Sequence, residues 1–133
     1  MNACSVDIAS MLVADTVLGL TVGATLYVGK EPMTPDNVVT VYDSYGFPPQ
    51  LTFNPKEEPY YYPAIQIRVR NRDYRTGYNL AHRIMVSLHG RAQQTWNGTL
   101  YTVIYSTSGV ALLDWEDTGL CRFIINFNLQ RRD

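Results

Sequence analysis

Between Ala64 and Arg72 the chain alternates cleanly: Ile65, Ile67 and Val69 fall on one side, Gln66, Arg68, Arg70 and Arg72 on the other. A two-residue period marks a strand with one buried and one solvated face, because successive side chains leave opposite sides of the pleat. One face is therefore core and the other a row of guanidiniums. The period then changes. Asp73 can cap a helix whose stripe is Tyr74, Tyr78, Ala81, Met85 and Leu88, with Gly90 as the residue that ends it.

Downstream, Gln94–Trp96 and Thr99–Ser106 flank Asn97-Gly98, the strongest short-range hairpin signal. Val110–Trp115 and Leu120–Gln130 read as further strands, the last with Phe123, Ile125, Phe127 and Leu129 facing inward. Upstream, Ser5 is a candidate N-cap with Asp7 in the first turn, and Ile8, Met11, Leu12 and Leu18 predict a helix of about three turns stopping near Gly19. Thr25–Gly29 and Val38–Tyr42 read as an antiparallel pair around Pro32, Pro35, Asp36 and Asn37. Strands grouped this way predict an α+β fold, mainly an antiparallel sheet packed against two helices. At 133 residues, 1–133 is expected to form a single domain.

Residues 43–63 stand apart. Pro48, Pro49, Pro55, Pro59 and Pro63 bar regular ladders, yet Phe47, Phe53, Tyr60, Tyr61 and Tyr62 make the segment too aromatic for a plain linker. It reads either as a contact arm that orders on a partner or as a loop packed over its own core.

Net charge is −1, which gives no general reason to bind nucleic acid or an acidic membrane. The distribution is uneven. Residues 1–67 carry seven acids against Lys30 and Lys56, whereas 68–133 carry nine arginines against five acids. A molecule split in this way can join head to tail with its own copies. Cys4 and Cys121 form no C-x-x-C and have no His pair at metal spacing. The N-terminus has Asp7 where a signal peptide would be basic, and Asp15 with Gly19, Gly23 and Gly29 interrupts the apolar stretch from Ile8, so a soluble, membrane-free protein is expected.

No nucleophile elbow, phosphate loop, dinucleotide fingerprint or H-E-x-x-H occurs, so neither a catalytic centre nor a cofactor is expected. His82 and His89 share a helical face but lack a nearby carboxylate, and read as surface or interface histidines. Asn97-Gly98-Thr99 matches a glycosylation triplet but is better explained as the hairpin turn. Asp114, Glu116 and Asp117 concentrate acid near a strand end; they could do acid–base work, but a rim of acids is commoner. They are natural partners for Arg68, Arg70 and Arg72 of a neighbouring subunit. That arginine row has three readings, in order: an intersubunit ion-pair surface, a solvated outer face, or a basic lining past which DNA travels, without rings to stack bases.

Several phrases together resemble the minor capsid and tail-terminator proteins of tailed bacteriophages. They are Pro32-Met33-Thr34-Pro35-Asp36-Asn37-Val38-Val39-Thr40-Val41-Tyr42-Asp43, Pro63 through Gln66-Ile67-Arg68-Val69-Arg70 into Asp73-Tyr74, the helix end Ile84–Leu88 before Gly90, and Phe123–Phe127. The family often has a Gly-Arg pair before its last strand, which Gly119-Leu120-Cys121-Arg122 separates here. The resemblance implies a virion protein assembled in the host cytoplasm. It would form a ring, commonly hexameric, that caps the tail tube and meets the head-completion or connector proteins, with DNA passing through the lumen unread. The interface residues expected are Arg68, Arg70, Arg72, Asp114, Glu116, Asp117, Phe47, Tyr60, Tyr61 and Tyr62. A neck adaptor on the portal side, a tail tube protein and a small enzyme are the alternatives.

Overall fold

The computed structural model describes residues 1–49 and 60–132. In chain order these form α1 (Cys4–Ala14), β1 (Leu26–Val28), β2 (Val38–Phe47), β3 (Tyr62–Asn71), α2 (Tyr74–Leu88), β4 (Ala92–Trp96), β5 (Thr99–Ser106), β6 (Ala111–Trp115) and β7 (Cys121–Arg132). One sheet runs β1-β2-β3-β7-β5-β4, with β6 also paired to β7. The α+β class holds, and the expected mainly antiparallel sheet is matched in part: the sheet is mixed, β1–β2 being its parallel pair.

The inward residues of β3 set its centre. Ile65, Ile67 and Val69 stand opposite Phe127, Ile125 and Phe123 of antiparallel β7, and all six are buried. Ile8, Met11 and Leu12 of α1 and Ala81, Ile84 and Leu88 of α2 join the same apolar cluster. Each such side chain contributes about 1.5–3 kcal/mol by leaving water.

The pair β1–β2 is parallel, Leu26 facing Val39 and Val28 facing Val41, which corrects the expected antiparallel pairing. The reason lies in residues 29–37. Instead of turning tightly, this connection travels back over the outer face of the sheet, where Arg70 donates to the Met33, Pro35 and Asp36 carbonyls.

Helix α1 begins one residue before Ser5 and ends at Ala14, not near Gly19. Ser5 is not its N-cap. Asp43 of β2 takes that role from outside, accepting from the Ser5 N–H at 3.0 Å and its hydroxyl at 2.6 Å. At the other end the Asp15 carboxylate accepts from Ser87 at 2.7 Å, drawing the chain out of the helix.

Asp73 caps α2 as the sequence predicts, accepting from the Thr76 N–H at 3.0 Å. The buried stripe is shifted, however, to Gly77, Ala81, Ile84 and Leu88, while Tyr74 and Tyr78 are exposed. Gly77 explains the shift, since a Cβ there would lie 2.9 Å from Asn71 Cβ and 3.1 Å from the Phe123 ring. The two tyrosines instead meet Phe123 edge-on from outside, at 5.0 and 5.9 Å between ring centres.

The Asn97-Gly98 hairpin is present, with positive φ at both residues. The ladder between β2 and β3 runs farther into the proline-rich segment than its composition suggests, to Phe47 opposite Tyr62. Pro63 is tolerated because a bulge between Ser44 and Phe47 interrupts the pairing at its position. Phe53, Pro55 and Pro59 lie outside the described residues.

Gly77→Ala tests this close approach. The gain in helix propensity, about 1 kcal/mol, is outweighed by overpacking of about 1–3 kcal/mol, so a lower urea midpoint is expected. A raised midpoint would mean that α2 stands off the sheet.

Candidate functional site

On the outer face, register places Arg70 of β3 directly opposite Arg122 of β7. Two like charges so placed repel. Glu31, carried in by the β1–β2 connection, resolves the conflict: its carboxylate accepts from Arg70 Nη1 at 2.7 Å and from Arg122 Nε at 2.9 Å. Glu116 also accepts from Arg122 Nη2, and Asp114 accepts from Arg122 Nη1 at 3.2 Å. Burial disfavours the charged form of Arg122, but the bonds to Glu31 and Asp114 and the charges of Glu31 and Glu116 outweigh it and raise its pKa. Glu31, Arg70, Glu116 and Arg122 wall an open depression of about 530 Å³, which Arg72 and Asp36, paired at 2.5 Å, also line.

The predicted arginine row is real, but its members differ. Arg70 is only 4% exposed, and its Glu31 partner 10%. It is committed to its own chain. Arg68 donates to Gln66 at 2.9 Å and lies over the Tyr42 ring at 5.0 Å, so the row does carry an aromatic neighbour, contrary to the sequence reading. Arg72 is largely exposed. Asp114 and Glu116 meet Arg122 within the chain, and Asp117 is exposed in the turn beyond β6.

The aromatic candidates sit elsewhere. Phe47 is exposed, Tyr60 lies under the Arg132 guanidinium at 5.8 Å, Tyr61 exchanges backbone hydrogen bonds with Arg131, and Tyr62 begins β3 half-buried. From Tyr62 to Arg70 is about 26 Å of strand, so the charged and aromatic sets occupy opposite ends of β3. His89 accepts the Ser106 N–H on Nδ1 at 2.9 Å, and His82 stacks on Tyr78.

Sequence reasoning missed Glu31 and Arg122, whose meeting depends on the path of the connection. It also missed the depth of Asp7. That carboxylate is wholly buried and accepts from the Tyr101 hydroxyl and from Asn97 Nδ2 at 2.7 Å, with Arg131 Nη1 3.8 Å away. The only sequence signal was an acid among apolar residues. Burial pushes the adjoining Cys4 thiol up to about 12 and raises the Tyr101 phenol above its usual range. Among the described residues no helix is long and apolar enough to cross a membrane.

The geometry thus defines a small α+β fold whose charged face is braced internally and whose residues 43–49 are exposed. The family model for the bacteriophage tail terminator protein matches residues 15–132, and the chain belongs to that family. The family is a structural component of the tail, not a class of enzymes. No curated protein matches the chain. A chain from the virion of a native gene transfer agent (GTA) particle shares the fold at TM-score 0.72 and 14% identity, covering 98% of this chain and 96% of that one. A second solved chain aligns at TM-score 0.52 and 11% identity, over 96% and 97% respectively.

Two predictions follow from the buried groups. Glu31→Gln is expected to cost about 2–4 kcal/mol because it strands the buried Arg70 charge, whereas Arg72→Ala should cost under about 1 kcal/mol; urea denaturation compares them. In the unfolded chain Cys4 titrates near 9.0, but in the fold near 12. The unfolded state therefore releases its proton first, and stability should fall as pH rises above 9, with Tyr101 adding to the loss. A urea midpoint unchanged between neutral pH and pH above 9 would contradict this.

Proposed function

We propose that this chain forms a ring that caps the finished tail tube, ends tube polymerisation and joins the tail to the head-completion or connector proteins. The match to the tail terminator family over nearly the whole chain carries the reading. The virion origin of a chain with the same fold is in keeping with it. The role is stoichiometric: subunits occupy the tube end and display a new surface, and DNA passes through the lumen without being read.

Ring closure requires a heterologous interface, in which two different patches of one chain meet. The rim arginines Arg68 and Arg72 of one subunit would face acids of the next, the exposed Asp117 among them, since Asp114 and Glu116 are held by Arg122 of their own chain. Arg70 fixes the wall from which the other two project, so it is not itself a free contact.

The test is native mass spectrometry with negative-stain imaging at low and moderate salt, alone and with tail tubes. Six copies at 15.1 kDa, about 91 kDa, are expected for a hexamer. Arg68→Glu with Arg72→Glu should weaken rings most at low salt while the monomer keeps its melting temperature. Binding to the portal and not to tubes would favour a neck adaptor, and open filaments a tube protein.

A further inference from the structure

We infer that the β2–β3 arm of one subunit inserts Tyr45 and Phe47 into a groove between α1 and α2 of the next copy of this chain. The inference rests on the ring reading above and names the contact that closes it.

The arm is bare beyond what a free surface explains. From Asp43 to Pro49 every residue is exposed, with Tyr45 at 100% and Phe47 at 73%, although the ladder to β3 continues to Phe47. Gly46 lets the strands approach there, because a Cβ would lie 2.1 Å from the Tyr62 carbonyl oxygen. The backbone is thus specified, and two large aromatic side chains are displayed to solvent.

The groove is the complementary feature. Asp15, Val17 and Leu18 after α1 and His82, Arg83 and Val86 of α2 border a depression of about 400 Å³. Its apolar wall includes Val17 at 77% and Val86 at 63% exposure. A cavity of about 150 Å³ holds a benzene ring, so there is room for two. Arg83 at the groove's edge has no carboxylate partner among the described residues.

The two features lie at opposite ends of α1. The arm's base is tied to Ser5 through Asp43, and the groove opens after Ala14, a helix length of about 16 Å away. Tyr45 is wholly exposed. Arm and groove on separated sites make a head-to-tail contact that repeats around a ring.

Disulfide trapping decides the matter, since native Cys4 and Cys121 are buried and stay out of the reaction. Tyr45→Cys and Val86→Cys, both at exposed positions, are combined in one chain, made singly, and mixed. Under conditions that give rings by native mass spectrometry, with tail tubes added if needed, the double variant should oxidise to a ladder ending at the ring size. The mixed single variants should stop at dimers, and Tyr45→Cys alone should stay monomeric. Rings without Tyr45–Val86 cross-links would overturn this contact and leave the ring reading standing, as would efficient cross-linking of Tyr45→Cys to itself. Monomers under every condition would overturn both. Independently, Tyr45→Ser with Phe47→Ser should weaken ring formation roughly tenfold or more at an unchanged melting temperature; undiminished rings would count against the arm.

Discussion

The structure turns on a conflict of charge that the core creates. Ile65, Ile67 and Val69 can meet Phe127, Ile125 and Phe123 only in one register, because a slip of one residue would turn every inward side chain to solvent. That register forces Arg70 against Arg122 on the other face. A carboxylate must then come between them, and Glu31 can do so only if residues 29–37 cross the sheet instead of making a hairpin. The parallel β1–β2 pair, the anchoring of the Met33, Pro35 and Asp36 carbonyls, and the folding of Glu116 toward Arg122 all serve that single arrangement.

Helix α1 depends on a second set of buried polar groups. Its first turn is capped by Asp43 from β2, and Asp7 reaches Tyr101 and Asn97 across the β4–β5 hairpin. Buried polar groups are costly unless satisfied, so α1 is bound to both ends of the sheet by groups that lose their partners if it lifts. The same Asp43 fixes the base of the arm, which makes the arm's position a consequence of how α1 is seated.

Much of this was legible in the sequence where one residue type has one physical use. The alternation from Ala64 to Arg72, the Asp73 cap and the Asn97-Gly98 turn are local signals, and the structure follows them. The stripe of α2 was misplaced because Gly77 reads locally as a weak helix residue, while its value lies in a contact with Phe123 more than forty positions away. Glu31 and Arg122 were illegible for the same reason, since their roles exist only once the register is known. For the charged face, the arginine row was visible but its division was not: sequence shows three guanidiniums and cannot say which of them is buried against its acid at home.

That division matters for an assembling subunit. Buried ion pairs such as Arg70–Glu31 gain little over apolar packing but are costly to break, so Arg70, with the partly buried Arg122, rigidifies the face without offering a sticky surface. Exposed pairs such as Arg72–Asp36 contribute only about 0–1 kcal/mol, and two arm aromatics docked as proposed would bury about 300–500 Å² between them, short of the roughly 800 Å² per partner of a stable interface. In the proposed ring, contacts of that size alone would bind free copies weakly. They would become sufficient if, as proposed, a tube end held several copies together and closure made the last contact intramolecular, raising its effective concentration toward the millimolar range. A subunit built from strong internal and weak external contacts would assemble where a template exists and not before.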